Sequence, residues 1–320
     1  MRIQIVTHLW PTKAAPEYGA FVQTQVEALR RREGVEIDVR SFPRGALSYP
    51  RAAWALRGSA RKGKFDVVHA HYGLSGWSAL ATRARRLVVT FHGTDLRHPV
   101  VRRLSRLLIR LIGLPATVSS SLARAALPGA GSRRAVAVLP CGVDMRRFEP
   151  LERAAARSRL GLDPGRRYIL FPADPARAVK RHDRAVALAS GFAGAELLTL
   201  RSIPPDDVPL WINASNAILI TSDSEGFGLA VLEALACNVP VLSTPVGIAP
   251  LVLDGVEGAL CAPFDASRWG ELLASHLGRD DPRIEGRSRA ALFSSERMAD
   301  RVLAAYAELT GEESSGHQRP

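Results

Sequence analysis

Cysteine is scarce: Cys141, Cys237 and Cys261 lie far apart in a chain of 320 residues. An odd, widely spaced set excludes a disulfide framework and reads as reduced thiols, and no Cys/His group has zinc-ligand spacing. No apolar run approaches the ~20 residues needed to cross a bilayer. The chain opens on MRIQIV, a strand-like segment without a signal peptide's apolar region and cleavage site, which predicts a cytoplasmic protein. A G-x-G-x-x-G run after the first strand is missing, which argues against a dinucleotide dehydrogenase. No aromatic-basic motif or recognition-helix pattern supports nucleic acid as a partner. Lysine is also nearly absent: only Lys13, Lys62, Lys64 and Lys180 accompany the arginines.

What is present is a length suited to two domains of roughly 150 residues each and an uneven charge. Residues 1–150 carry 25 Lys+Arg against 9 Asp+Glu, about +16; residues 151–320 carry 18 against 22, about −4. A cationic half attracts phosphates or anionic lipid headgroups. Short apolar strands alternate with helical patterns throughout. The first half reads as strands at 2–7, 35–42, 66–72, 87–92, 116–120 and 135–140, with helices between them, a basic one at 99–112. After GVDMRRFEP (142–150), a Pro- and Arg-containing stretch to about 166 reads as a linker. The second half repeats the pattern, with strands at 167–173, 195–201, 216–222 and 239–244. Its helices are expected at 178–190, 206–214, 228–236, 266–277 and 295–309. Such βαβα order predicts parallel sheets with helices on both faces. The expected domains are 1–150, 151–293, a C-terminal helix at 294–310 that could pack back on the first domain, and a disordered tail at 311–320.

The sharpest motif is SDSEGFGLAVLEALACNVPVLSTPVG (222–247). Glycines between a strand and a helix let backbone N–H groups approach a ligand, and the helix start near Gly228 offers unpaired donors to a phosphate. Glu225 and Glu233, eight residues apart, can accept hydrogen bonds from two separate sets of hydroxyls. That suits a ligand with two sugar rings. The bland alternative is a capped helix with a solvated glutamate.

Glu225 to Glu233 resembles the E-x7-E motif of the retaining nucleotide-sugar glycosyltransferases of GT-B architecture, the family-4 (group 1) type, and EALACNVPVLSTPVG resembles that family's continuation. The resemblance implies two Rossmann-like doubly wound domains facing a central cleft. It also implies an activity: transfer of a sugar from a nucleotide-diphosphate sugar to a hydroxyl acceptor. By resemblance Glu225 contacts the donor sugar, Glu233 the ribose hydroxyls, and the backbone of Gly226, Phe227, Gly228 and Leu229 the sugar and phosphate. In FPADPARAVKRHD (171–183), Arg177 and Lys180 take the family's diphosphate-binding roles, with Arg181 the other candidate for the arginine. Fixed cations there would stabilise the departing diphosphate without a metal or other cofactor. THLWPTKAAPEYGAFV (7–22) resembles the first loop, with Gly19 approaching the ligand. TFHGTD (90–95) resembles the segment that aims a histidine, here His92, at the donor sugar. VLPCGVDMRRFEP (138–150) resembles the inter-domain signature. Ile203 falls where the backbone meets the nucleobase, in a region shorter than in many relatives, as in a subset resembling teichuronic-acid pathway enzymes.

Other readings compete with these. Asp223-x-Glu225 could be the metal site of a transferase of another fold, and an epimerase or hydrolase could share the architecture. A basic, non-enzymatic binding module is a further alternative. His69 and His71, two apart on one strand, are either a metal pair or packing. The helix VVRRLSRLLIRLIG (100–113) is basic and amphipathic. It either lies on an anionic membrane, where a lipid-linked or cell-envelope acceptor would be found, or packs its leucines into the core with its arginines in solvent.

Overall fold

The computed structural model describes residues 1–60, 64–126 and 135–311. They form two compact α/β units. One comprises residues 1–142 with the C-terminal segment from Ser295; the other comprises residues 143–294. The tail expected to be disordered lies outside the described residues, save Gly311.

The first unit runs β1 (Arg2–Thr7), α1 (Ala20–Arg30), β2 (Glu36–Ser41), α2 (Ser48–Ala55), β3 (Val67–His71), α3 (Gly73–Leu80), β4 (Leu87–Phe91), α4 (Thr94–Arg97), α5 (Pro99–Ile109), β5 (Leu114–Thr117), α6 (Ser120–Ala126) and β6 (Ala137–Val138). The six strands are parallel, in the order β2-β1-β3-β4-β5-β6. β3 and β4 are buried along their whole length, as central strands covered on both faces must be.

The second unit runs α7 (Arg153–Leu160), β7 (Arg167–Phe171), a 3-10 turn (Ala178–Lys180), α8 (His182–Ala189), β8 (Ala195–Thr199), α9 (Val208–Ala214), β9 (Ala217–Ile220), α10 (Leu229–Ala236), β10 (Val241–Ser243), α11 (Ala249–Val252), β11 (Leu260–Cys261), α12 (Ala266–Leu277) and α13 (Arg287–Ala291). Its sheet is also parallel, ordered β11-β10-β9-β7-β8. The last helix, α14 (Ser295–Thr310), belongs to the first unit, where Met298, Val302 and Tyr306 join Ile3, Ile5, Val26 and Leu29 in the core. In the second unit Ile169, Phe171, Leu219 and Leu242 from the sheet pack with Leu188, Trp269 and Leu273 from helices.

In both sheets the chain reverses direction of winding once: between β1 and β3 in the first, between β7 and β9 in the second. Ligands of open parallel sheets bind at the carboxyl ends of the strands beside such a reversal. Of the segments singled out from sequence, 7–22 leaves β1 in one unit and 171–183 and 222–229 leave β7 and β9 in the other, while 90–95 leaves β4, the strand next to β3.

Three local departures from the sequence expectation have physical causes. The first lies at the boundary between the units. Residues 143–151 belong to the second unit, because its side chains hold their backbone. Arg287 donates to the carbonyls of Met145 (2.6 Å) and Phe148 (2.7 Å), and Arg283 to that of Leu151 (2.7 Å). Second, the stretch read as a linker contains α7. Two of its three arginines, which suggested solvent, point inward: Arg153 and Arg157 are 3% exposed, whereas Arg159 is exposed. Arg157 donates to the carbonyls of Ala214 (3.0 Å) and Pro164 (2.7 Å) and to Asn216 Oδ1 (2.9 Å). Third, the helix expected over 178–190 breaks at Arg181, whose φ is +53°. Thr221 Oγ1 donates there to the carbonyls of Lys180 (3.0 Å) and Arg181 (2.9 Å), which would otherwise serve the helix.

A buried guanidinium that satisfies three acceptors leaves them stranded when removed. Arg157→Met is therefore expected to lower the urea-unfolding free energy by about 2–4 kcal/mol. A loss under ~0.5 kcal/mol would show that the arginine is dispensable to α7.

Candidate functional site

The site in the second unit begins where β7 and β9 end. β9 delivers Thr221 and Ser222, and β7 leads through Pro172 and Ala173 to the 3-10 turn that carries Lys180. Lys180 Nζ lies 2.6 Å and 2.7 Å from the two carboxylate oxygens of Glu225, with the side chains 15% and 12% exposed. Ser222 Oγ donates to Glu225 Oε1 at 2.7 Å, and Thr244 Oγ1 fixes the carbonyl of Ser222 at 2.6 Å. The cation and the carboxylate are thus held in one geometry by three separate strand ends. They line a pocket of about 50 Å³ with Phe171, Gly228, Leu229 and Ala230.

The loop between them and α10 depends on glycine in two places. Gly228 caps α10 with φ +89°, a left-handed conformation that glycine adopts without strain. Gly247 (φ +58°) passes so close to Phe227 that a Cβ would lie 2.2 Å from its carbonyl oxygen. That closeness lets Ile248 N donate to the same carbonyl at 2.7 Å. Phe227 buries its ring, tilted edge-on to Phe293. It offers a ligand only its backbone, and so does Gly226. Leu229 is the first residue of α10.

Glu233 stands on α10, a turn beyond Leu229. Its carboxyl is desolvated and makes no hydrogen bond or ion pair among the described residues. Burial pushes it up to about 7, with the Arg147 guanidinium opposing. Arg147 also donates to the carbonyl of Pro205, tying down the turn that follows Ile203. Ile203 is half-buried on the loop leaving β8, at the same edge of the sheet but outside the pocket lining.

The two candidate arginines differ in engagement. Arg181 is committed to carboxylates, at 2.7 Å from Asp183 and 3.3 Å from Asp223. The exposed guanidinium of Arg177 has no hydrogen-bond or ion-pair partner among the described residues. Asp223, the other member of the conceivable metal pair, is held by Arg181 and by Arg184 at 2.8 Å. Among the described residues no group of three or more His, Cys, Asp or Glu side chains is placed to hold a metal.

In the first unit His92 follows β4, half-buried, with its Nε2 3.1 Å from His71 Nδ1. Burial, His71 and His8 keep its pKa well below the usual histidine value, so the ring is neutral at pH 7. A neutral ring can both donate and accept. His69 and His71 stack at 4.3 Å, and His69 hydrogen-bonds Tyr306 and Thr90. Both ring nitrogens of His69 are thereby engaged by protein groups. Sequence reading passed over Asp95, which is fully buried. It accepts from the backbone N–H groups of His92, Gly93 and Gly73, fastening the loops after β3 and β4 to each other. Burial nevertheless pushes its carboxyl up to about 6. Its place in TFHGTD was the available signal. Gly19 (φ +80°) does approach backbone closely, but the backbone is the chain's own: a Cβ there would lie 2.2 Å from Leu9 C. Cys141 is buried, with its thiol pushed up to about 12, and is unsuited to nucleophilic attack.

Residues 2–147 match the family described as Glycosyltransferase Family 4, and residues 174–278 match Glycosyl transferases group 1. The chain is 30% identical to a D-inositol 3-phosphate glycosyltransferase of Nocardia farcinica, over 80% of this chain and 70% of that protein. It is 31% identical to a protein of the same name from Mycobacterium bovis, over 84% and 67%. Among solved structures it resembles sucrose-phosphate synthase from Thermosynechococcus elongatus (TM-score 0.76, 20% identity, 97% of this chain and 99% of that one). It also resembles Anabaena HepE in complex with UDP (TM-score 0.71, 15% identity, 96% and 100%). These likenesses show the GT-B fold.

Because the folded state raises the pKa of Glu233 from 4.5 to about 7, it holds a proton that the unfolded chain releases in that window. Its contribution to stability therefore falls as pH rises from 4.5 to 7. Glu233→Gln is expected to melt roughly 2–4 °C above the unmodified protein at pH 8 and level with it at pH 4.5. A difference independent of pH would place the titration elsewhere.

Proposed function

The chain belongs to the family-4 glycosyltransferases, and from that membership we propose how its residues divide the work of moving a sugar from a nucleotide-diphosphate donor to a hydroxyl acceptor. The observation that carries the reading is the Lys180–Glu225 pair at the carboxyl ends of β7 and β9, beside the glycine-capped start of α10.

The donor diphosphate lies on Lys180 and the α10 amides, with Arg177 as the second cation. Lys180 has three N–H donors, and a diphosphate competes for them with Glu225 by carrying more negative charge. Once released, Glu225 accepts from hydroxyls of the transferred sugar, and Glu233 accepts from the ribose. His92, neutral, can both donate to and accept from a sugar hydroxyl. The bond from the anomeric carbon to the diphosphate oxygen breaks and its electron pair stays on that oxygen. The acceptor oxygen bonds the same face of the same carbon, so configuration is retained. The acceptor's proton passes to the departing oxygen. Positive charge fixed beforehand at the leaving group supplies what a metal ion would otherwise supply.

The acceptor is presented at an anionic membrane surface. Of the two readings of α5, core packing accounts for Ser105, Leu108, Ile109 and Ile112, which are buried. It does not account for Val100, Leu104, Leu107 and Leu111. These recur at helical spacing, are 39–61% exposed, and lie beside Arg103, Arg106 and Arg110. α3 packs between α2 and α5, and α2 carries exposed Trp54 and Arg51. An apolar stripe bordered by cations fits anionic headgroups over acyl chains. No helix among the described residues is long and apolar enough to cross the membrane.

A screen of nucleotide sugars for turnover tests the donor reading. Lys180→Gln is expected to lower kcat/KM about a hundredfold (~3 kcal/mol), and activity is expected to survive EDTA. Turnover undiminished in Lys180→Gln would sink the assignment. For the membrane, the unmodified protein is expected to sediment with phosphatidylglycerol vesicles and the Leu104→Gln/Leu107→Gln variant to stay in the supernatant. Equal sedimentation of both would remove α5 from that role.

A further inference from the structure

Arg181 sits in a conformation that its side chain disfavours. Its φ and ψ are both +53°, in the left-handed region, where the Cβ of any residue but glycine crowds the following carbonyl oxygen. Asparagine and aspartate tolerate that region best among the others, and arginine has no such preference. The local sequence favours a different backbone. Residues 178–190 carry a helical pattern, and a right-handed Arg181, with φ near about −60°, would join the 3-10 turn to α8 without a break. The restraint that keeps the turn open therefore comes from outside the segment.

It comes from the exit of β9. Thr221 is fully buried, and its hydroxyl shares one proton between the carbonyls of Lys180 (3.0 Å) and Arg181 (2.9 Å). Those two carbonyls flank the Cα of Arg181, so a donor common to both fixes φ and ψ of that residue together. The Asp223 N–H donates to the carbonyl of Val179 at 2.9 Å. Arg184, on α8, donates to the Thr221 carbonyl at 3.0 Å and pairs with Asp223 at 2.8 Å. The turn is thus laced, at three successive carbonyls, to the same strand exit that carries Glu225.

We propose that Thr221 is a positioning residue of the donor site: by holding Arg181 left-handed, its hydroxyl sets the direction in which Lys180 leaves the turn and so aims the ammonium at the place where the diphosphate is received. The inference rests on the reading of Lys180 as the diphosphate's cation and deepens it by naming what aims that cation. Lys180 directly precedes Arg181. A flip of Arg181 to the right-handed region turns the peptide that carries Lys180 relative to α8 and takes its Nζ from the 2.6 Å and 2.7 Å contacts with Glu225. A glycine at 181 would need less help, since glycine takes left- and right-handed conformations alike. With arginine there, the hydroxyl at 221 is required. Thr221 touches no ligand in this scheme and acts through Lys180 alone.

The test is isothermal titration calorimetry on the full chain with UDP, GDP and ADP, the tightest of the three being carried through the variants. Thr221→Val, which keeps the shape and deletes the hydroxyl, is expected to weaken binding about tenfold, the scale of one buried hydrogen bond. Thr221→Ser, which restores the hydroxyl, is expected to bind like the unmodified protein. Thr221→Val/Lys180→Gln is expected to bind no more weakly than Lys180→Gln alone, because there is no ammonium left to misdirect; a loss of general structure would add to it. A second pair probes the backbone without touching Thr221. Arg181→Gly and Arg181→Ala both delete the guanidinium, and the glycine variant is expected to bind roughly fivefold tighter than the alanine variant. Should Thr221→Val not fold, that pair decides. Unchanged binding in Thr221→Val, additive losses in the double variant, or equal binding by Arg181→Gly and Arg181→Ala would each overturn the inference. Binding unaffected by Lys180→Gln, or absent for all three nucleotides, would instead overturn the donor reading on which it rests.

Discussion

The proposed donor site depends on one ion pair placed at one point of one sheet. Lys180 and Glu225 come from loops 45 residues apart, and the reversal of strand order between β7 and β9 brings them face to face. Breaking a partly buried pair of this kind leaves an uncompensated charge, costing on the order of 3–5 kcal/mol, so the surroundings must hold it. Thr221 shapes the turn under Lys180, Ser222 holds the carboxylate, and Thr244 holds Ser222. Gly247 lets the following chain pass against Phe227 and close the loop. These side chains look incidental one by one; together they keep a cation and an acceptor of hydroxyls within hydrogen-bonding distance at a strand end.

The same logic organises the first unit with different chemistry. There a buried carboxylate, Asp95, gathers three backbone N–H groups and so fixes where His92 stands. The stacked histidines behind it are neutral, which avoids placing positive charge in a core that could not solvate it. The unit's cations lie outside, among them those on α5 and α2. The proposed roles divide along the same line as the charge asymmetry: a membrane surface on the first unit, a sugar nucleotide on the second.

Much of this was legible in the sequence because its signals are local. Strand periods, Gly228 at a strand-to-helix turn, and Glu225 and Glu233 at fixed spacing survive without knowledge of the fold. What was not legible depends on long-range contacts. Nothing around Arg153 and Arg157 shows that distant carbonyls wait for them, so α7 read as linker. A side-chain hydroxyl 40 residues away breaks the helix at Arg181. Gly19 was singled out as approaching a ligand, and only the structure shows that its close neighbour in the fold is Leu9.

The scarcity of lysine makes the central claim directly measurable. With four lysines in the chain, one of them beyond position 64, side-chain 15Nζ resonances can be assigned by single substitution and followed during titration with a nucleoside diphosphate. The account predicts that the Lys180 resonance moves to saturation with the affinity measured for the nucleotide, while those of Lys13, Lys62 and Lys64 stay in place. A nucleotide that saturates the protein and leaves Lys180 unmoved would contradict it.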